Sequence, residues 1–174
     1  PLGVDEADLT VVYADLEADP LMLVFGDSEC GKTSVLRSLC RGLVAGNDPA
    51  NAKFIVVDYR RSMLGEFEGE HLAGYAATET ALQPMVEHLE RILDERMPGP
   101  DVTPAQLRSR SWWSGPRIHL LVDDLDLVIT GAGNPLQPLA RFLPHARDIG
   151  LSVVLARRSA GASRVLYDPF VGRI

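Results

Sequence analysis

The sequence predicts an α/β fold, a mostly parallel sheet with helices on both faces, and three observations predict it. Apolar runs at 21–25 (LMLVF), 53–57 (KFIVV), 118–122 (IHLLV) and 151–156 (LSVVLA) lack polar alternation, as strands covered on both faces do. Stretches with helical periodicity lie between them. The first run passes through a glycine loop straight into such a helix. Strands alternating with helices make a parallel sheet, and 174 residues suit one domain, 1–174, with a sizeable core.

Composition narrows the function classes. Hydrophobic content of 46% with 24% charged residues is that of a globular chain. A net charge of −7 argues against nucleic-acid or membrane-surface binding, which needs a basic face. Cys30 and Cys40 are the only cysteines and fit a reducing cytosol. No apolar run approaches 18 residues and no signal-peptide pattern is present, so no membrane span is expected.

In chain order, residues 1–8 are a polar lead-in and 9–16 (LTVVYADL) read as an edge strand, closed by the turn at 17–20. The strand at 21–25 follows. Val35, Leu36, Leu39, Cys40, Leu43 and Val44 then mark one buried face of a helix, and Gly46-Asn47-Asp48-Pro49 stops it. The strand at 53–57 ends in Asp58-Tyr59-Arg60-Arg61, and the glycine-rich, acidic stretch 65–75 reads as a connection. A second helix runs to about Met97. Because Pro84 is tolerated only near a helix start, the reading begins this helix near Thr80 or Gln83. Thr103-Pro104 caps a short helix to about Ser111. Trp112-Trp113 plug a gap beneath a loop or offer a partner or adenine contact. After the strand at 118–122, Asn134-Pro135 opens a helix with Leu136, Leu139, Phe142 and Leu143 inward, and residues 164–174 read as the start of another.

Gly26-Asp27-Ser28-Glu29-Cys30-Gly31-Lys32-Thr33 fits G-x-x-x-x-G-K-[ST] between a strand and a helix. Glycines let the backbone wrap a phosphate chain with its N–H groups inward, and the helix start adds its positive dipole end. Gly26, Asp27, Ser28, Glu29, Cys30, Gly31, Lys32, Thr33 and Ser34 are thus the nucleotide-binding candidates. Lys32 would reach the β- and γ-phosphates, and the Thr33 hydroxyl would sit on Mg²⁺. A carboxylate at Glu29 would repel phosphate and is expected to face outward, while a thiol at Cys30, beside a helix N-terminus, is a candidate reactive group.

The strand at 118–122 ends in Asp123-Asp124. A carboxylate at the carboxyl end of a buried parallel strand is where a phosphate-loop protein holds Mg²⁺ through water. Asp123 with Thr33 is therefore the metal pair, and Asp124 the candidate for polarising the attacking water. Asp124 is one methylene shorter than the usual Glu, and a shift near 1 Å can cost about a hundredfold in rate. The plain alternative is a strand running out into solvent, and Asp126 reads as a solvated or capping residue. In the phosphate-loop class that inserts a strand, the order is 21–25, 151–156, 118–122, 53–57. Arg157 then emerges between the loop and Asp123 as a catalytic candidate sensing the γ-phosphate, or else as a surface charge beside Arg158.

The segments GDSECGKTSVLRSL, VVDYRR, LAGYA, VDDLDLV and LPHARDIGLSVVLARRSAGASRVLYDP resemble the third, C-terminal ATPase module of the EccC proteins, FtsK/SpoIIIE-type ATPases of type VII (ESX) secretion. The resemblance covers essentially the whole chain. It implies a RecA-like ASCE P-loop NTPase fold, ATP and Mg²⁺ as ligands, and a longer parent chain with other ATPase modules. It further implies a homo-hexamer at the cytoplasmic face of the membrane and small helical-hairpin WXG-type proteins as cargo. Motor relatives show Asp-Glu at Asp123-Asp124 and Thr-Gln at Ala156-Arg157, and both departures weaken the case for fast hydrolysis. A fifth strand is expected beyond 21–25, so the reading has the fold truncated before its last strand. The position of Arg60-Arg61 suits either an arginine finger toward a neighbouring subunit or a pair of surface charges.

Three functions follow. The leading one is an ATP-binding module with slow hydrolysis whose occupancy controls assembly or cargo docking. The second is an ATP-hydrolysing motor acting on protein. A DNA translocase comes last, because the chain is acidic and lacks a basic stretch interleaved with aromatics. No Asn/Thr-Lys-x-Asp segment supports a GTPase.

Overall fold

A computed structural model describes residues 2–131, 133–160 and 168–174. Its centre is a parallel five-stranded sheet made of β3 (Leu21–Phe25), β4 (Ala52–Val57), β5 (Leu72–Ala76), β6 (Arg117–Val122) and β7 (Leu151–Arg157). The spatial order is β3-β7-β6-β4-β5. The four predicted strands hold their predicted order, with β7 between the loop strand and the strand that ends at Asp123.

Strand alternation sorts the side chains into two layers. Phe54, Val56, Leu121, Val154 and Ala156 face α1 (Lys32–Gly46), which buries Leu36, Leu39 and Cys40 against them. Ile55, Val57, Leu120, Val122, Val153 and Leu155 face the other layer, where α2 (Glu79–Arg96) buries Leu82, Val86, Leu89 and Leu93. Each such buried side chain is worth about 2 kcal/mol of transfer free energy.

Several expectations are corrected. Residues 9–16 are not one strand: β1 (Gly3–Val4) and β2 (Val11–Val12) form a separate antiparallel hairpin. Asp5 and Asp8 accept backbone N–H bonds from Ala7 and Thr10 in its turn, which stops the extended run early. Leu16 is buried under α1. The connection 65–75 ends in the strand β5, paired with β4 at the sheet edge. LAGYA reads as a linker because Gly74 has no side chain, yet that absence lets Met85 pack against the strand, its sulfur 3.0 Å from where a Cβ would lie.

The second helix starts at Glu79, beside the earlier of the two expected positions, because the Thr78 side chain accepts from Ala81 N at 3.2 Å and caps it. Pro84 therefore lies inside the helix and removes one backbone bond. The short helix α3 (Pro104–Ser109) carries the expected cap, with Thr103 and Gln106 completing a capping box. After β6 comes the single-turn α4 (Leu125–Val128). The helix expected from Asn134 is instead two 3-10 turns, Gln137–Arg141 and Leu143–His145, followed by α5 (Ala146–Ile149). Pro138 and Pro144 each lack the N–H that a continuous helix would need. Leu136, Leu139, Phe142 and Leu143 still point inward.

Of the helix expected at 164–174, residues 164–167 lie outside the described residues, and Val171–Arg173 is a 3-10 turn. Among the described residues β3 is the terminal strand on its side, and the sheet's fifth strand, β5, lies at the opposite edge. Trp112 and Trp113 plug a gap: their indole N–H groups donate to Arg96 O and Asp148 O, both at 2.7 Å. The Arg96 guanidinium stacks 4.3 Å over Trp113. The Trp113 ring lies against Gly150 at the start of β7, away from the carboxyl ends where α/β sheets bind ligands.

Candidate phosphate-binding site

The loop between β3 and α1 is built around two conformational demands. Gly31 caps α1 at φ 94°, a left-handed conformation that glycine adopts without strain. Gly26 is crowded, since a Cβ there would lie 2.1 Å from Cys30 Sγ. The Gly26 N–H donates to Arg157 O at 3.2 Å, fastening the loop to the end of β7.

Lys32 is buried, and its ammonium curls back onto its own loop, donating to Gly26 O at 3.0 Å and Asp27 O at 2.6 Å. Cys30 Sγ lies 3.9 Å away. Phosphate oxygens would replace those carbonyls, exchanging charge–dipole contacts for charge–charge ones. Glu29 is exposed, as its charge demands, at φ 61°.

Thr33 and Asp123 meet across the sheet end, Thr33 Oγ1 donating to Asp123 Oδ2 at 2.7 Å. Asp123 is 1% exposed. Burial pushes its carboxyl above the usual carboxylate range, the Thr33 hydroxyl pulls it back down, and the charges of Asp124 and Asp58 push it up again. Among the described residues no cluster of three or more His, Cys, Asp or Glu side chains is arranged to hold a metal. The donors here suit Mg²⁺ instead, an ion that takes one or two protein oxygens and completes its shell with phosphate and water.

Asp124 occupies the left-handed region at φ 45° and caps α4. Its carboxylate is ion-paired with Arg60 of the same chain. Arg60 is exposed, and its side chain turns toward its own site. Ser28, Glu29, Gly31, Lys32, Thr33 and Ser34 line one side of a cavity of about 460 Å³, with Arg60, Ser62, Asp124 and Arg158 completing it. The sequence-predicted loop residues, Asp123 and Asp124 are thus brought together.

Arg157 sits between the loop strand and the Asp strand as expected, opposite Phe25 in register. Its guanidinium is only 4% exposed on its side chain and donates to Asp126 Oδ1 at 2.7 Å. Asp126 is exposed, as expected, and in addition clamps Arg157 and accepts from Arg158 N at 2.9 Å. Of the pair Arg157 and Arg158, the one that lines the cavity is Arg158.

Sequence reasoning missed Asp58 as a structural anchor. Buried at the end of β4, it accepts from Arg60 N at 3.1 Å, Met63 N at 2.7 Å and the Tyr75 hydroxyl at 2.7 Å. Its signal was available, because Asp58 ends a buried strand just as Asp123 does. A second cavity, about 480 Å³, lies between residues 13–17 and the C-terminal half of α1, with Arg117 and His119 in its lining. It contains none of the predicted site residues.

Comparison with known proteins identifies the family. Residues 2–97 match the model of the FtsK/SpoIIIE family. The chain is 48% identical, over its full 174 residues, to ESX secretion system protein EccC of Thermomonospora curvata, and covers 13% of that protein. It is 48% identical over 173 residues, 99% of its length, to ESX-4 secretion system protein EccC4 of Mycobacterium tuberculosis, and covers 14% of that relative. The solved structure of ATPases 2 and 3 of Thermomonospora curvata EccC, in complex with a signal sequence peptide, superposes on all of this chain with a TM-score of 0.95 at 48% identity, the match taking up 31% of that structure. The cytoplasmic domain of EssC matches 99% of this chain and 35% of its own at a TM-score of 0.78, but at 15% identity it supports the fold alone. With the family model matching residues 2–97, and with a RecA-like α/β sheet that superposes on the EccC ATPase domains, the chain belongs to the FtsK/SpoIIIE family.

Proposed function

We propose that this chain is one ATP-binding module of a longer type VII secretion ATPase, one that binds Mg-ATP tightly and hydrolyses it slowly. The observation that carries the reading is that Lys32 and Thr33 line one cavity at the carboxyl ends of β3 and β6, with the Thr33 hydroxyl bonded to the buried Asp123. Lys32 would release its loop carbonyls and hold the β- and γ-phosphates, while the loop N–H groups and the start of α1 orient the chain of phosphates. Thr33 and, through water, Asp123 would hold Mg²⁺, which would supply charge neutralisation to the phosphates. Asp124 is the group next to the attacking water.

Slow turnover is supported by the state of that group. Asp124 is a short carboxylate on a left-handed backbone, one methylene short of the usual Glu. A set-back near 1 Å can cost about a hundredfold in rate.

The chain spans 13–14% of the curated relatives described above, and the wider roles are proposed with it. The parent chain carries further ATPase modules, assembles as a hexamer at the cytoplasmic face of the membrane, and docks WXG-type cargo whose export signal corresponds to the signal sequence peptide bound by the Thermomonospora protein. No described helix is long and apolar enough to cross a membrane. With a charge of −7, the surface gives DNA translocation no support.

The test is titration with a fluorescent ATP analogue and Mg²⁺, wild type beside Lys32→Ala, with phosphate release followed in the same samples. Tight, Lys32-dependent binding with little release supports the regulatory module. Steady release that Asp124→Ala abolishes makes the module a motor.

A further inference from the structure

Arg60 stands where two anions compete for one guanidinium. It pairs with Asp124, and both side chains line the cavity bounded by Ser28, Lys32 and Thr33. The backbone beneath Arg60 is pinned: buried Asp58 accepts from Arg60 N, Met63 N and the Tyr75 hydroxyl, and Arg37 donates to Ser62 O at 2.6 Å. Asp124 is fixed as well, with its N–H bonded to Asp123 Oδ1 at 3.1 Å and its residue capping α4. Freedom is therefore unequal. The Arg60 side chain is 48% exposed and the Asp124 side chain 17%, so the guanidinium can turn while the carboxylate stays.

A planar guanidinium accepts a phosphate or a carboxylate with the same bidentate geometry. A terminal phosphate carries more charge than a carboxylate, so its arrival in the cavity shifts the exchange toward itself. We propose that Arg60 reads the terminal phosphate of a bound nucleoside triphosphate from within its own chain, leaving Asp124 when that phosphate is present and returning to it when the site holds a diphosphate. This rests on the ATP-binding reading above and adds to it the residue that distinguishes ATP from ADP. In the diphosphate state Asp124 is neutralised, and in the triphosphate state its carboxylate is free to face water. The loop anchor at Asp58 and Tyr75 connects this exchange to the sheet edge at β5.

The experiment measures dissociation constants for Mg-ATP and Mg-ADP by competition against a fluorescent analogue, for wild type, Arg60→Gln, Asp124→Asn and the double variant. Arg60→Gln is expected to lower the ratio of the ADP to the ATP constant about tenfold, the effect of one charge-assisted contact. Asp124→Asn removes the competitor and is expected to tighten ATP about threefold where Arg60 is present, with no gain where it is Gln. Equal weakening of both nucleotides by Arg60→Gln, or an Asp124→Asn gain of the same size in both backgrounds, overturns the proposal, because each then reports only general charge. Should Arg60→Gln not fold by circular dichroism, Arg60→Lys decides: a ratio lowered about threefold by loss of the planar fork supports the exchange, and an unmoved ratio refutes it. Wild-type protein that binds neither nucleotide removes the ATP-binding reading and this inference with it; wild-type binding with an unmoved Arg60→Gln ratio removes this inference alone.

Discussion

Thr33 Oγ1 donates to Asp123 Oδ2 at 2.7 Å, tying the first turn of α1 to the end of β6 across 90 residues of chain. The bond joins the two parts of the phosphate site before any ligand arrives. It also sets up a conflict, since Asp123 is nearly inaccessible and lies near two further carboxylates, Asp124 and Asp58.

That conflict predicts a stability gain on removing the charge. Burial raises the folded-state pKa of Asp123 above its unfolded value of 3.8, so ionised Asp123 destabilises the fold once pH rises through the folded pKa. Asp123→Asn keeps an acceptor for Thr33 and is expected to unfold at higher temperature than wild type at pH 7. The difference should vanish below the unfolded pKa, where both side chains are neutral. Thermal melts from pH 3 to 8 measure it, and a variant less stable than wild type at pH 7 refutes the account. Loss of Mg²⁺-dependent nucleotide binding should accompany the gain.

The Arg157–Asp126 pair predicts an asymmetry. Asp126→Ala leaves a nearly buried guanidinium without its carboxylate and should cost about 3 kcal/mol, whereas Arg157→Met, which removes the buried charge, should cost about 1 kcal/mol or less. Urea denaturation of the two variants decides it. Equal losses would mean that packing, not charge, sets the stability of this corner.

Gly150 ends α5 at φ 71°, and a Cβ there would lie 2.4 Å from Cη2 of Trp113. Gly150→Ala therefore meets both left-handed strain and an indole held by its bond to Asp148 O. We expect a loss of about 3 kcal/mol, combining about 1 from the backbone with about 2 from overpacking. Denaturant unfolding followed by tryptophan fluorescence gives the figure, and a loss below about 1 kcal/mol would show that the ring moves aside freely.

His119 predicts an acid limb. Burial first, and the Arg117 charge second, pull its pKa down to about 4 from the ordinary 6.5. The folded state thus holds it neutral where the unfolded chain takes a proton. Its contribution to stability is complete above pH 6.5 and is lost progressively as pH falls from 6.5 to about 4. His119→Gln should flatten the pH dependence of the melting temperature across that window, and an unchanged slope would refute the assignment.

The phosphate loop, the helix behind it and four strands were legible because each rests on a local signal, and the strand order followed from the phosphate-loop class. Five consecutive apolar residues, a G-x-x-x-x-G-K-T run and an i, i+3/i+4 face state their own structure within a few residues. Asp123 and Asp124 were legible for a related reason, since a strand end places a carboxylate wherever the sheet places the strand. The edge strand β5 was not legible, because LAGYA becomes a strand only when β4 offers it a hydrogen-bonding partner and Met85 fills the space over Gly74.

What tertiary structure alone decided is which charges meet. Arg60 finding Asp124, and Arg157 finding Asp126 rather than the cavity, depend on the parallel register of β4, β6 and β7 and on the turn of each side chain at a strand end. Periodicity carries no information about such pairs. Their partners lie tens of residues away, and a guanidinium's preference among several nearby carboxylates is set by distance and burial, quantities that exist only after the sheet has assembled.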